Sequence, residues 1–195
     1  MMKYIYILLF FIFLPLLKAS SEKTHPMALS WKAEVNLINF NLEQKNKITR
    51  AIEIIKKVIR SEEFKRRIIQ YASNGRKGFV DNQGLSNEMI YLLILEGREK
   101  VGNTKKNNTM NVELELYYRP TKTIGHTYPD VPRIWMNKKY FLKYNAINVA
   151  NNLMHEWLHK LGFTHSGQWT EEREHTVPYA VGYIIEDIAK KLKFY

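Results

Sequence analysis

Residues 145–165 read NAINVANNLMHEWLHKLGFTH, and this stretch decides how the rest of the chain is to be read. Ile147, Ala150, Leu153, Met154, Trp157, Leu158 and Leu161 recur at helical spacing, so Asn145 to Leu161 is expected to be a helix with one buried face. Gly162 stops it, because a residue free to take positive φ lets the chain leave the helix axis sharply. His155 and His159 stand four positions apart, one turn apart on one face, where both imidazoles can reach a single ion. Glu156 is rotated by about 100° from His155 and about 60° from His159, which brings its carboxylate beside that ion. After the turn at Gly162, His165 can return to the same point.

Three imidazoles leave a fourth coordination position open. That is the arrangement of a catalytic zinc rather than a structural one, with Zn–N distances of about 2.0–2.1 Å expected. The chemistry that follows is activation of water and polarisation of a carbonyl by one zinc ion, with Glu156 as general base. The alternative third ligand is an acid from Glu171, Glu172 or Glu174. His126 and His175 read as ordinary loop residues, and His25 as solvated.

Outward from this helix the chain divides into elements with short polar punctuation. Trp31 to Phe40 reads as a first strand. Asn41 and Gln44 have the spacing of a capping box, opening a helix through Ile48, Ile52, Ile55 and Ile59, and Ser61 restarts it toward Tyr71. Gly75 and Gly78 break the pattern, and Phe79 to Asn82 is a short strand or an ordered loop. Ser86 caps a helix through Leu95 that ends at Gly97. Met110, Val112, Leu114 and Leu116 alternate with polar neighbours, the pattern of a strand with one buried face. Thr123 to Tyr128 and Arg133 to Asn137 form a hairpin or hairpin-like pair. A last helix runs from Val177 to Leu192, with Pro178 tolerated in its first turn.

At the N-terminus, Met1 to Lys3 and the apolar run Tyr4 to Leu17 have the layout of a signal peptide. Residues 1–21 are therefore expected to be removed, leaving residues 22–195 as a single catalytic domain that is secreted or periplasmic. The whole chain carries 30 Lys and Arg against 19 Asp and Glu, a net charge of +11. Loss of Lys3 and Lys18 with the leader lowers this to +9, which favours electrostatic contact with an anionic cell surface. Basic residues concentrate in Lys45 to Lys77, but without interleaved aromatics or a binding module they read as a solvated helix face, and no nucleic-acid partner is expected. The chain has no cysteine, which excludes disulfides, thiolate ligands and a cysteine nucleophile.

His155-Glu156-x-x-His159-x-x-Gly162-x-x-His165 resembles, residue by residue, the extended zinc signature of the metzincin metallopeptidases. Phe79-Val80-Asp81-Asn82-x-Gly84-Leu85-Ser86-Asn87, Gly125-His126-Thr127-Tyr128-Pro129 and Val177-Pro178-Tyr179-Ala180-Val181-Gly182 resemble, more loosely, a bacterial branch of secreted metzincin-like proteins. The resemblance implies an α+β, zincin-like fold: a mixed twisted sheet, an active-site helix and a C-terminal helix, with an edge strand bordering the cleft, for which Arg133 to Asn137 is the candidate. It implies a monomeric zinc-dependent metalloendopeptidase acting on a peptide or protein substrate, and it aligns Tyr179 with a tyrosine near the metal that is an extra ligand or an oxyanion donor. The sequence departs from the pattern in one place: no methionine follows Met154, and Val177 stands where the family's turn methionine is expected. The competing expectation is a zinc-binding module of the same fold that binds cell-surface material without hydrolysis.

Overall fold

Short polar side chains set where the helices begin. Asn41 accepts from the backbone N–H of Gln44 while Gln44 reaches back to the N–H of Asn41, and Ser61, Ser86 and Asn145 each accept from the N–H three residues on. Each such cap satisfies donors that the first helical turn leaves without a partner.

The computed structural model describes residues 25–102, 105–128 and 130–194. Its elements in chain order are α1 (Pro26–Ser30), β1 (Lys32–Ile38), α2 (Leu42–Ile59), α3 (Glu62–Ile69), β2 (Ala72–Ser73), β3 (Arg76–Lys77), α4 (Asn87–Glu96), β4 (Thr109–Tyr117), β5 (Gly125–Thr127), β6 (Arg133–Asn137), α5 (Lys138–Phe141), α6 (Ala146–Lys160), a 3-10 turn over Glu172–His175, and α7 (Val177–Lys191). The architecture is α+β, with seven α-helices and a mixed open sheet among the described residues. The leader expected at residues 1–21 lies outside the described residues. Among those described, no helix is long and apolar enough to cross a membrane.

The main sheet has the order β1-β4-β6-β5. β1 and β6 both run parallel to β4, with Leu37 opposite Leu114 and Ile134 beside the same Leu114, while β5 returns antiparallel to β6. Val112, Leu114, Leu116, Ile134 and Met136 point to one face and are buried there beneath the helices. This corrects the expected edge: Arg133 to Asn137 is an interior strand, and the edge is β5. Hydrogen-bonding partners occupy both flanks of β6, which leaves its three-residue hairpin neighbour β5 outermost.

α6 lies across the buried core between α2 and α7. Trp157 packs edge-on against Trp31, with ring centroids 5.7 Å apart, and both side chains are fully buried. The basic stretch largely ties elements together rather than standing free. Arg67 pairs with Asp187 on α7, Arg60 donates to the carbonyl of Trp31, and Lys47 donates to the carbonyls of Phe141, Leu142 and Tyr144. Four short elements were not anticipated from the sequence: α1, α5, the 3-10 turn, and the β2–β3 hairpin. The Asn74-Gly75 pair at the tip of that hairpin is a strong two-residue turn signal that could have revealed it. Phe79 to Asn82 is an ordered loop, tied to the start of α7 by a bridge between Val80 and Thr176. His25 is half-buried rather than solvated, because its Nδ1 accepts from the N–H of Met27 and caps α1.

Candidate metal centre

The end of α6 places the first two histidines, and its stop signal places the third. Gly162 N–H bonds to the carbonyl of His159 and Phe163 N–H to that of Leu158, the paired bonds of a Schellman stop, with Gly162 at φ +101°. The same turn buries Phe163 and aims its carbonyl at His159 Nδ1, 2.7 Å away. Two residues later His165 comes back beside the helix.

His155, His159 and His165 could hold a metal ion: one ring nitrogen from each lies within 4.8 Å of the others. His155 Nε2 stands 3.1 Å from His165 Nε2 and 3.3 Å from His159 Nε2. The far sides of the rings are occupied by carbonyls: Phe163 O for His159, Ser166 O at 2.9 Å from His165 Nδ1, and Pro178 O for His155. Carbonyls accept, so each ring donates to its carbonyl, and the Nε2 atoms of neutral rings are then left as lone pairs. Burial does keep the rings neutral. It holds His155 well below the usual imidazole range, brings His159 down to about 4 and lowers His165, with neighbouring histidines adding to the effect on the first two and Arg173 on the third. Three lone pairs facing one another at this spacing repel unless a cation lies between them. A tetrahedral ion with bonds of about 2.0–2.1 Å has ligand-to-ligand edges of about 3.3–3.4 Å, close to the two separations from His155 Nε2.

Glu156 sits beside this point, buried between α6 and the edge strand. Burial pushes its carboxyl up to about 8, against the opposing effects of the Lys160 ammonium and a hydrogen bond from Asn152. Gly125 of β5 backs directly onto it, since a Cβ there would stand 2.9 Å from both Glu156 Oε1 and Asn152 Oδ1. Lys160, also buried, donates to the carbonyls of Tyr128 and Val131 and so fastens the β5–β6 turn to α6. On the other face of α6, the buried Glu99 accepts from Trp157 Nε1 and from the N–H of Asn111, both at 2.8 Å.

Tyr179, in the first turn of α7, lies against the histidines, its ring centroid 4.4 Å from that of His155 and 4.7 Å from that of His165. Its hydroxyl accepts from Arg173, whose guanidinium also lies over its ring. Val177, two residues before it at the start of α7, is fully buried. Comparison with protein-family models, with curated proteins and with solved structures finds no match to this chain. The site therefore rests on its own geometry.

The remaining sequence candidates fall away from the centre. Glu171 and Glu172 are exposed, and the Glu174 carboxylate accepts from Tyr183 OH, so none of these acids joins the histidine cluster. His175 belongs to the 3-10 turn, with Nδ1 2.8 Å from Tyr71 OH. His126 is a strand residue rather than a loop residue, stacked on Trp135 with centroids 5.2 Å apart and with Nδ1 3.2 Å from Tyr117 OH. Arg173, Lys160 and Asn152 border the centre, and Glu99 lies on the other face of α6, none of them among the residues expected there from sequence. A charged residue at an apolar position of a helical pattern was the available signal for Lys160; the other three carried none.

Proposed function

We propose that this chain is a zinc-dependent metallopeptidase of the metzincin type, with His155, His159 and His165 as ligands and Glu156 as general base. The observation that carries the reading is the convergence of three imidazoles, one ring nitrogen from each within 4.8 Å of the others and His155 Nε2 at 3.1 and 3.3 Å from those of His165 and His159, with the buried Glu156 next to them. A module that only bound zinc would gain nothing from a carboxylate held beside the ion. The export expected from the leader belongs to the same proposal.

Zinc supplies Lewis acidity toward a substrate carbonyl when bound there. Glu156 takes the proton from the attacking water and hands it to the leaving amine, a role that its place beside the histidines and its burial against β5 support. Tyr179 holds a hydroxyl whose oxygen already accepts from Arg173, which leaves its own O–H to donate to the oxyanion. Among the described residues β5 has no sheet partner on its outer side, so an extended peptide can pair with that edge, and Gly125 brings the strand close enough to Glu156 for the paired peptide to meet the carboxylate.

The test is peptide-library cleavage by purified protein, with a chelator and Glu156→Gln as controls. Cleavage should require metal and fall by about a hundredfold or more in the variant, which should keep its zinc. Unaltered turnover in Glu156→Gln overturns the role of the base. Zinc retained without cleavage of any peptide favours the binding-module alternative.

A further inference from the structure

Arg173 is a half-buried cation beside the three histidines, and among the described residues no carboxylate pairs with it. Its guanidinium donates to Tyr179 OH and lies over the Tyr179 ring, 4.6 Å from the centroid. Its Nε is buried and has no hydrogen-bond partner among the described residues. The nearby acids are otherwise placed: Glu174 is taken by Tyr183, and Glu171 and Glu172 are exposed. Tyr179, which Arg173 covers, is itself in contact with His155 and His165.

This placement is unfavourable in the free protein for two separate reasons. A guanidinium N–H removed from water without a new acceptor loses a hydrogen bond outright. A fixed positive charge beside a centre that would hold a divalent cation adds like-charge repulsion to that loss once the ion is bound. Contact with Tyr179 relieves neither fully, since a phenol is a neutral acceptor and reaches only one edge of the fork. A single occupant relieves both. A carboxylate is planar, anionic and matched to the spacing of two guanidinium N–H groups, whereas a lone backbone carbonyl satisfies one donor and neutralises nothing.

We propose that Arg173 is a specificity-determining residue that receives a carboxylate of the substrate beside the metal centre. The inference rests on the peptidase reading and narrows it to substrates with an acidic group close to the scissile bond. Two sources share this chemistry: the α-carboxylate of a peptide C-terminus, and the side chain of an Asp or Glu next to the cleaved bond. Arg173 also braces Tyr179, so loss of activity in a variant would not by itself reveal the carboxylate site. A comparison between paired ligands does.

The experiment measures binding of short peptide hydroxamates to the zinc-loaded full chain by calorimetry. One probe ends in a free α-carboxylate, a second has the same sequence ending in an amide, and a third ends in an amide but carries an Asp side chain. At least one acidic probe should bind about tenfold or more tightly than the neutral one, and which of the two gains identifies the source. Arg173→Gln should abolish that ratio and Arg173→Lys should keep part of it, whereas a purely structural role for Arg173 would weaken all probes equally. Equal affinity of the three probes for the unaltered protein overturns the proposal while leaving the peptidase reading standing. Failure of every hydroxamate to bind overturns both. Because the decisive ratio is measured on the unaltered protein, a poorly folded variant does not protect the proposal.

Discussion

Gly125 and Glu156 are in contact across the site: the edge strand passes so near α6 that a Cβ on Gly125 would lie 2.9 Å from the glutamate's Oε1. Such a separation is closer than side-chain carbon and oxygen atoms tolerate, so Gly125→Ala must displace either the strand or the carboxylate. Turnover should fall about tenfold or more, as for other small misplacements of a reacting group. Zinc content should be unchanged, because no ligand is touched. Elemental analysis alongside kcat checks this, and a normal kcat would show that β5 does not border the reaction.

Gly162→Ala should act on the metal through the backbone. The φ of +101° at this position is costly for a residue with a Cβ, by about 1–2 kcal/mol. The Schellman stop also orients Phe163 O toward His159 and carries the chain back to His165. Zinc affinity should therefore fall together with melting temperature, in contrast to His165→Ala, which should lose affinity without the backbone penalty. Competitive titration with a chromophoric chelator separates the two.

Tyr179→Phe keeps the ring packed against His155 and His165 and removes only the hydroxyl that Arg173 touches. We expect kcat to fall by about a hundredfold, the order associated with an oxyanion donor, at unchanged melting temperature and zinc content. A wild-type rate in this variant would remove Tyr179 from the chemistry and leave it as a packing residue.

Glu99 should make stability depend on pH. Burial raises its carboxyl pKa above the usual 4.5, against the lowering effect of hydrogen bonds from Asn111 and Trp157. The folded state thus holds this proton at pH values where the unfolded chain has released it. Linkage then makes unfolding progressively easier as pH rises from about 4.5 through the raised pKa, with no further loss above it. Glu99→Gln cannot ionise, so its melting temperature should gain on that of the unaltered protein across the same interval. A parallel pH dependence of the two proteins would rule out Glu99 as the group responsible.

Much of this molecule was legible because it is local. The caps at Asn41, Ser61 and Ser86, the glycine stops at Gly97 and Gly162, and the alternation in β4 all express contacts within a few residues. The Asn74-Gly75 hairpin is equally local, although glycine spacing alone reads there as a break in helical pattern. Arg133 to Asn137 shows the opposite case, for its strand character was plain but its place in the sheet was not. Position within a sheet depends on which segments pair on either side, and those partners lie far away in the chain.

By itself the sequence determined that His155 and His159 share a helix face, that Glu156 stands beside them, and that the chain turns back at Gly162. Helical periodicity and the backbone freedom of one glycine dictate each of these. Only the tertiary structure decided that β5 closes over Glu156, that Lys160 fastens the β5–β6 turn, that Glu99 lies under Trp157, and that Arg173 covers Tyr179. Each of those pairs joins separate elements. Their meeting depends on how α6, α7 and the sheet pack around one core, and spacing along the chain carries no record of that packing.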